Sequence, residues 1–283
     1  MKLPQATQFL VFTDLDGSLL DHHSYSYQDA LPQLRKLEVQ NIPVIPVSSK
    51  TRVEIEQLRE ELGNEHPFIV ENGAAVLIPE GYFDSQPPGS VTRAGYWVCE
   101  MSAPRDKWLQ LLQDKAGDFA GDFESFHSAG VEGIMRMTNL SRERAELANT
   151  REYSEPVKWF GDQQRQEIFI QRLQEAGAGV LQGGRFLSVC GDCDKGKALQ
   201  WLRDIYMSAR PEAVCHSLAI GDSRNDCAML EAADSALVIR STVHDFPALR
   251  RTHGVIYSED YGPAGWAQGV ASWLHQQQQT DKL

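Results

Sequence analysis

The chain has 283 residues, of which 42% are hydrophobic and 23% are charged; it is long enough to bury a sizeable core, and its composition is typical of a globular protein. The formal net charge of −12 argues against a nucleic-acid partner, which would require a clustered basic face. An anionic small substrate stays compatible with this charge, because a pocket needs only a few local cations.

No apolar stretch approaches the length that crosses a bilayer, and the opening MKLPQATQFL lacks the layout of a signal peptide. We therefore expect no membrane partner and a cytoplasmic location. The five cysteines are scattered and odd in number, which favours reduced thiols. Cys190 and Cys193 have CxxC spacing, but no second Cys or His pair lies nearby to complete a zinc site. Ordinary packing is the favoured interpretation of these two thiols.

The first third of the chain alternates strand and helix patterns. Apolar runs predict strands at FLVF (9–12), IPVIPVSS (42–49) and FIV (68–70). Between them, apolar side chains recur at helical spacing at Leu31, Leu34 and Leu37, and at Val53, Leu58 and Leu62. Thr51 and Glu54 form a capping box, so a helix is expected to begin there. Strands that alternate with helices indicate parallel βαβ units and a doubly wound sheet.

The alternation breaks at the Pro- and Gly-rich stretch GYFDSQPPGS (81–90), and the segment after it is mixed and rich in aromatic residues. It resumes with KGKALQWLRDIY as a helix, SLAIGD as a strand, NDCAMLEAA as a helix and ALVI as a strand. The simplest organisation is one α/β core, residues 1–84 and 190–283, which is split by an inserted domain at 85–189.

Two acids stand where the first strand ends, in FLVFTDLDGSLLD (9–21). Asp14 and Asp16 are two residues apart, so on an extended chain their side chains point the same way. Their repulsion has to be offset by a bound cation, a shared proton or exposure. The plainer alternative is a turn at Asp16 and Gly17 with Asp14 as a strand-end cap.

A third acid, Asp222, ends another apolar strand in IGDSRND (220–226), and Asp226 follows at the first turn of a helix. By itself this segment could be a loop and a helix cap. With Asp14 it supplies few, hard oxygen ligands, a set that suits Mg²⁺ sharing its shell with water and phosphate. Ligands of open α/β sheets sit outside the carboxyl ends of the strands, so Asp14, Ser48 and Asp222 converge if their strands are neighbours.

A hydroxyl and an ammonium group complete the set. Ser48 ends a strand in PVSSK and Lys195 begins a helix in DKGKAL. Ser48 could simply be a helix N-cap and Lys195 a solvated charge. A hydroxyl and a fixed cation are nonetheless what a phosphoryl group needs for orientation and charge neutralisation.

In order and spacing, DLDGSLLD, VSSKTR, DKGKAL and IGDSRND resemble the four motifs of the haloacid dehalogenase superfamily. The resemblance implies a Rossmann-like core with an inserted α+β cap of the C2 type. It also implies that Asp14 is a nucleophile that forms an aspartyl phosphate and that Asp16 is the general acid and base. Ser48 would then hold a phosphate oxygen, and Lys195 would balance charge.

The same resemblance implies a Mg²⁺ site. Its ligands would be Asp14, the backbone carbonyl of Asp16 and Asp222, with Asp226 a ligand through water or an orienting residue. Ser49 and Asn225 would join Ser48 and Lys195 around the phosphate. Ser18 and Ser48 stand where many relatives have threonine, and either hydroxyl serves.

Longer stretches narrow the resemblance to the mannosyl-3-phosphoglycerate phosphatase family. They are VSSKTR (47–52), ENGAAV (71–76), REYSEPVKWFG (151–161), LQGGRFLSVCGDCDKGKA (181–198) and YGPAGW (261–266). This family implies hydrolysis of 2-O-(α-mannosyl)-3-phosphoglycerate, a phosphorylated sugar-glycerate, to mannosylglycerate, a compatible solute.

Five further residues are candidates for binding the rest of that substrate. Gly183 and Gly184 let backbone approach a ligand, and Arg185 offers a planar fork for the glycerate carboxylate; the alternative is a hairpin turn with an exposed arginine. Glu155 could accept hydrogen bonds from sugar hydroxyls or could position the cap. Lys50 adds positive charge beside Ser48.

Rival functions stay open at this point. One is a phosphatase for another sugar phosphate, such as glucosyl-3-phosphoglycerate or sucrose phosphate, or a phosphohexomutase, since these enzymes share one core. The other is a sugar-phosphate binding protein without turnover, against which the presence of Asp14, Asp16, Lys195 and Asp222 argues. The sequence leaves the sugar and the oligomeric state open.

Overall fold

The computed structural model describes residues 7–280, which form thirteen strands and nine α-helices. The strands are β1 (Thr7–Thr13), β2 (Val44–Pro46), β3 (Phe68–Val70), β4 (Ala75–Pro79), β5 (Val91–Arg93), β6 (Tyr96–Glu100), β7 (Phe123–Ser125), β8 (Glu155–Trp159), β9 (Gly179–Gln182), β10 (Leu187–Cys190), β11 (Val214–Gly221), β12 (Ser235–Arg240) and β13 (Val255–Tyr261). The helices are α1 (Leu31–Val39), α2 (Arg52–Leu62), α3 (Arg105–Lys115), α4 (Phe126–Thr138), α5 (Arg142–Asn149), α6 (Gln163–Glu175), α7 (Lys195–Ala209), α8 (Cys227–Ala232) and α9 (Gly262–Thr280).

The core is a five-stranded parallel sheet in the order β13-β12-β11-β1-β2. Side chains of β1 alternate between its two faces, as the period of a strand requires. Val11 packs in one buried cluster with Trp266 of α9, whereas Phe12 packs in a second cluster with Leu199 of α7. Helices therefore cover both faces, and the predicted doubly wound parallel sheet is confirmed.

Two smaller antiparallel sheets lie outside the core sheet. One has the order β3-β4-β6-β5 and the other β7-β8-β10-β9. The second packs with α3 and α6 around a buried cluster of its own, which contains Trp108, Val157 and Phe169. This mixed α+β unit lies between β6 and α7 in the chain, as expected for an insertion.

The division into domains is a proposal that the strand pairing refines. The sequence interpretation starts the insertion at 85, after the Pro- and Gly-rich run. In the structure, β6 pairs with β4 as far as Glu100 opposite Ala75, which ties residues 91–100 to the strand before that run. We propose that the insertion begins after Glu100 and ends at Cys190.

The chain enters and leaves the insertion at one place. The two connecting segments, 101–104 and 191–194, touch where the Gly191 amide donates to Ser102 Oγ at 2.9 Å. Cys190 and Cys193, which flank Gly191, are buried free thiols. No helix within residues 7–280 is long and apolar enough to cross a membrane.

Local signals at the start of α2 are also confirmed. The Thr51 hydroxyl accepts from the Glu54 amide, and the Glu54 carboxylate accepts from the Thr51 amide at 2.8 Å. Because this capping box fixes where the helix begins, it also fixes the loop after β2 that carries Ser48.

Candidate active site

Three polar side chains follow three adjacent strands of the core sheet. Asp14 comes after β1, Ser48 after β2, and Asp222 after β11. The strands are parallel and neighbours, so their carboxyl ends form one edge. The structure therefore brings the motif residues together as the sequence predicted.

Asp14, Asp222 and Asp226 form a buried carboxylate cluster whose ligand atoms all lie within 4.8 Å of one another. Lys195, the first residue of α7, is fully buried and reaches this cluster. Its Nζ donates to Asp14 Oδ1 at 2.5 Å and to Asp226 Oδ1 at 2.6 Å. Lys195 is therefore not a solvated charge.

The electrostatics of the cluster fit a divalent cation. Burial, together with Asp226 and Asp222, raises the pKa of Asp14, and burial followed by Asp226 raises the pKa of Asp222 to about 6. The ammonium group of Lys195 contacts two of the three carboxylates, so the cluster has an excess of two formal negative charges. Carboxylate oxygens are the ligands that Mg²⁺ prefers, so the donor set suits it.

Asp226 holds the cluster together. Its Oδ2 accepts from the Asp222 amide at 3.1 Å and from the Ser223 amide at 3.0 Å, while Oδ1 accepts from Lys195. With both oxygens bound by protein donors, the orienting role is the one that this geometry favours.

Asp16 points to a different cation. Its Oδ2 lies 2.9 Å from Lys50 Nζ, whereas its Oδ1 is buried without a hydrogen-bond partner among the described residues. Burial lowers the pKa of Lys50, but Asp16 and then Glu54 outweigh burial and raise that pKa above its ordinary value. Within residues 7–280, Oδ1 is thus the oxygen of Asp16 that no protein group occupies.

The turn at Gly17 explains how the two acids of the first motif separate. Gly17 has φ +84°, and a Cβ there would run into the Asp222 carboxylate. Glycine is the residue that adopts this conformation without strain and leaves that space free. The turn alternative for Asp16 and Gly17 is thus correct and compatible with a catalytic site.

The remaining phosphate candidates line the same edge. Ser48 is buried, and its Oγ accepts from the Lys50 amide at 3.2 Å. Ser49 is exposed beside it. The Asn225 side-chain amide donates to Asn72 Oδ1 at 3.2 Å, so part of its hydrogen-bonding capacity is used within the protein.

Glu155 does not fit the predicted role of a sugar ligand. It is fully buried; its Oε2 accepts from Arg105 Nε at 2.6 Å, and its Oε1 accepts from the His127 amide at 2.7 Å. We correct the sugar-ligand assignment, because a carboxylate enclosed in this way has no surface for a substrate. Its partners Arg105 and His127 both belong to the insertion, so Glu155 joins parts of the insertion to each other, a role that differs from the alternative of positioning the cap.

Gly183 and Gly184 form the hairpin turn between β9 and β10, where the Gly183 amide donates to the Phe186 carbonyl at 2.9 Å. Arg185 is exposed at this turn. The pKa of His22 is lowered, first by burial and then by the charges of His23 and Arg185. Asp16 acts in the opposite direction and offsets part of this effect. His22 thus lies within electrostatic reach of both the hairpin tip and Asp16, and the contact of the hairpin with substrate stays a prediction.

Sequence reasoning missed three residues at the site. Glu71 and Asn72 stand in left-handed turn conformations, and Asn72 accepts from Asn225. His244 Nε2 lies 3.2 Å from Asp222 Oδ2. The Asn-Gly pair in ENGAAV was a turn signal, but nothing local to Glu71 or His244 indicated where their side chains would lie.

Comparison with known sequences places these motifs in context. The family profile described as haloacid dehalogenase-like hydrolase matches residues 11–86. A protein of Methanococcoides burtonii named glucosyl-3-phosphoglycerate/mannosyl-3-phosphoglycerate phosphatase is 35% identical over 262 residues, which is 92% of this chain and 95% of that protein. The mannosyl-3-phosphoglycerate phosphatase of Pyrococcus furiosus is 34% identical over 83% of this chain and 93% of its own length.

Solved structures agree on the fold at lower identity. A protein of Thermoplasma acidophilum has a TM-score of 0.63 and 17% identity, covering 94% of this chain and 98% of its own. The sucrose-phosphatase of a Synechocystis strain, solved with sucrose and phosphate, has a TM-score of 0.58 and 14% identity, with coverage of 94% and 98%. Core and insertion together thus match known architectures.

Proposed function

The chain belongs to the mannosyl-3-phosphoglycerate phosphatases among the haloacid dehalogenase-like hydrolases, and from this premise we propose that it hydrolyses the phosphate ester of a 2-O-glycosyl-3-phosphoglycerate. The first candidate is 2-O-(α-mannosyl)-3-phosphoglycerate, with mannosylglycerate and phosphate as products. The buried contact of Lys195 with Asp14 and Asp226 carries the proposal, because it supplies a fixed cation beside a nucleophile where a phosphoryl group would bind.

Asp14 is the proposed nucleophile. Its carboxylate attacks phosphorus, and a new oxygen–phosphorus bond forms as the bond to the substrate alkoxide breaks. Water then cleaves the aspartyl phosphate and restores Asp14. Lys195, at 2.5 Å, holds the carboxylate in place and balances the charge of the phosphoryl group.

Asp16 is the proposed general acid and base. It gives a proton to the departing alkoxide and later takes one from the attacking water. The buried and unpartnered Oδ1 supports this role. Lys50, paired with Oδ2 at 2.9 Å, fixes the orientation of the carboxyl group.

Mg²⁺ is the proposed cofactor. Asp14, Asp222 and the backbone carbonyl of Asp16 would hold it, with Asp226 a ligand through water or an orienting residue. When bound, the ion neutralises negative charge on the phosphoryl group. The unbalanced charge of the carboxylate cluster supports this assignment.

The phosphate and the rest of the substrate would meet residues from both parts of the chain. Ser48, Ser49 and Asn225 would hold phosphate oxygens at the sheet edge. Arg185, on the turn that Gly183 and Gly184 form, would bind the glycerate carboxylate through its guanidinium fork. The proposed partner is thus a small phosphorylated sugar-glycerate; the cytoplasmic location stays a prediction.

Phosphate release from four esters tests the proposal: mannosyl-3-phosphoglycerate, glucosyl-3-phosphoglycerate, sucrose 6-phosphate and mannose 6-phosphate, each with Mg²⁺ and with EDTA. We expect Mg²⁺-dependent release with the highest kcat/KM for the first ester. Asp14→Asn should abolish release, while the exposed Asp29→Asn should leave it unchanged. A preference for sucrose 6-phosphate or mannose 6-phosphate would contradict the proposed substrate class. Activity of Asp14→Asn would contradict the assignment of Asp14 as the nucleophile.

A second candidate substrate is glucosyl-3-phosphoglycerate. The Methanococcoides protein and a 34% identical protein of Persephonella marina both carry names with the two sugars. Mannose and glucose differ in the configuration of one hydroxyl, so similar kcat/KM values for both esters would indicate dual specificity. Binding without release would indicate a binding protein, and conversion of a hexose phosphate into its positional isomer would indicate a mutase.

A further inference from the structure

We propose that Glu71 is a positioning residue that docks the insertion onto the core, and that turnover of sugar phosphates requires this docking whereas the phosphoryl chemistry does not. The inference rests on the phosphatase activity and, for its substrate comparison, on the proposed function. Glu71 lies in the core turn between β3 and β4 and is fully buried. Its partners lie some eighty residues away, in the insertion.

The Glu71 carboxylate is bound by successive amides of one insertion segment. Oε1 accepts from the Glu152 amide at 2.8 Å. Oε2 accepts from the Tyr153 amide at 3.3 Å, the Ser154 amide at 2.8 Å and the Ser154 hydroxyl at 2.6 Å. Several charge-assisted hydrogen bonds from protein donors replace the water contacts that a carboxylate loses on burial. The insertion thus forms an anion-binding nest for a side chain of the core.

An arginine in the same segment extends the contact to the loop that carries Ser48. The Arg151 side chain is only 6% exposed and its Nε lies 3.5 Å from Glu71 Oε2. Its guanidinium also donates to the Ser49 carbonyl at 2.6 Å. One end of residues 151–154 is therefore held by Glu71 and the other by the loop that carries Ser48.

The turn that presents Glu71 is strained and is built into the site. Glu71 has φ +49°, Asn72 +61° and Gly73 +94°. Gly and Asn tolerate such values, whereas a residue such as Glu71 adopts one where the surroundings impose it. The Glu71 amide donates to the Lys50 carbonyl at 3.0 Å, and the Asn72 amide to the Ser48 carbonyl at 2.9 Å. The backbone of the turn that carries Glu71 is thus hydrogen-bonded to the loop that carries Ser48.

Docking at 151–154 sets the position of the hairpin that carries Arg185. Ser154 is followed directly by β8, β8 pairs with β10, and the turn before β10 holds Arg185. A substrate that reaches the hairpin binds more tightly when Arg185 is held in this position. The affinity for an aryl phosphate, which occupies only the phosphate site, does not depend on it.

The first test compares Glu71→Gln and Glu71→Ala with the parent chain on mannosyl-3-phosphoglycerate and on p-nitrophenyl phosphate, both with Mg²⁺. We expect KM for the sugar ester to rise by about tenfold or more, as the loss of charge-assisted hydrogen bonds implies, with kcat and KM for the aryl ester within about twofold. Glu146→Gln, which alters an exposed acid on α5 of the insertion, is the matched control. Equal losses on both esters, or no loss on either, would overturn the proposal.

Hydrogen exchange separates this proposal from the choice of substrate. In the parent chain the amides of residues 152–154 should be protected, and in Glu71→Ala they should exchange about tenfold faster or more, with those of β1 unchanged. Unchanged protection of 152–154 would overturn the docking role even if no sugar ester were hydrolysed. Loss of protection across β1 would show general unfolding and would also count against it.

Discussion

Lys195 and Asp14 form a buried ion pair in which Nζ lies 2.5 Å from Oδ1. Burial by itself lowers the pKa of Lys195, but Asp14 and Asp226 outweigh burial and raise it, so the lysine keeps its charge. A cation therefore stands beside the candidate nucleophile before any substrate binds, and no rearrangement is needed to bring it there.

Lys195→Met should damage both stability and turnover. It leaves Asp14 and Asp226 buried without their cation, so we expect the free energy of unfolding in EDTA to fall by about 3 kcal/mol. Phosphate release should fall by about a hundredfold or more. Urea melts and initial rates measure the two effects. Lys197→Met is the control, since Lys197 pairs with Asp192 at the surface; a similar loss in both variants would contradict the role of the buried pair.

Asp16→Asn should separate esters by their leaving groups. The alkoxide of a sugar ester needs a proton, so kcat for mannosyl-3-phosphoglycerate should fall by about 10²–10⁴-fold. p-Nitrophenolate leaves unaided, and with this ester a burst of p-nitrophenol followed by slow turnover is expected, because the variant has lost the base for the second step. Stopped-flow absorbance detects the burst, and a uniform loss without one would show that Asp16 acts otherwise.

Mg²⁺ should stabilise the protein more as the pH rises. The folded-state pKa of Asp222 is raised to about 6 from 3.8, so the folded chain holds this proton more tightly than the unfolded chain. In EDTA, this group's contribution to stability is favourable below pH 4 and is lost as the pH rises through 6. A divalent cation reverses the penalty, so the rise in Tm caused by Mg²⁺ should be larger at pH 8 than at pH 5. Thermal melts in Mg²⁺ and in EDTA measure it; an equal rise at both pH values would argue against binding at Asp222.

Glu155→Gln should act on stability rather than on substrate affinity. It removes one charge of a buried pair with Arg105, and we expect about 3 kcal/mol less stability of the insertion. Arg105→Met should cost a similar amount, and the double variant should cost less than the sum of the two. Glu124→Gln breaks a surface pair with Arg136 and serves as control. A higher KM for the sugar ester without any loss of stability would restore the sugar-ligand assignment.

The core and its chemistry could be predicted because their signals are local. The apolar runs around Asp14, Ser48 and Asp222 mark strand ends, and parallel strands place such ends on one edge. The capping box at Thr51 is likewise contained in four residues.

What the sequence left open depends on distant partners. Glu155 binds Arg105, which is fifty residues away in the chain. The sequence around an acid in a strand does not indicate whether its carboxylate binds a sugar or a guanidinium group. Glu71 binds Ser154, which is eighty-three residues further along the chain. The Asn-Gly pair after Glu71 indicates the turn, but no local pattern indicates the distant partner. The start of the insertion that we propose, after Glu100, also depends on a distant contact, because the pairing of β6 with β4 leaves no local mark in the sequence.

The contact between Ser102 and Gly191 has a consequence for how such a protein can evolve. Because the chain departs from the core and returns to it at adjacent points, the intervening residues, 103–190, can be exchanged, lengthened or shortened without altering the ends that the remaining polypeptide must join. Ancestors of such an enzyme could acquire new substrates by replacing this segment while the bond-breaking machinery was inherited intact. The architecture thus lets selection act on recognition and on reactivity as separate heritable traits.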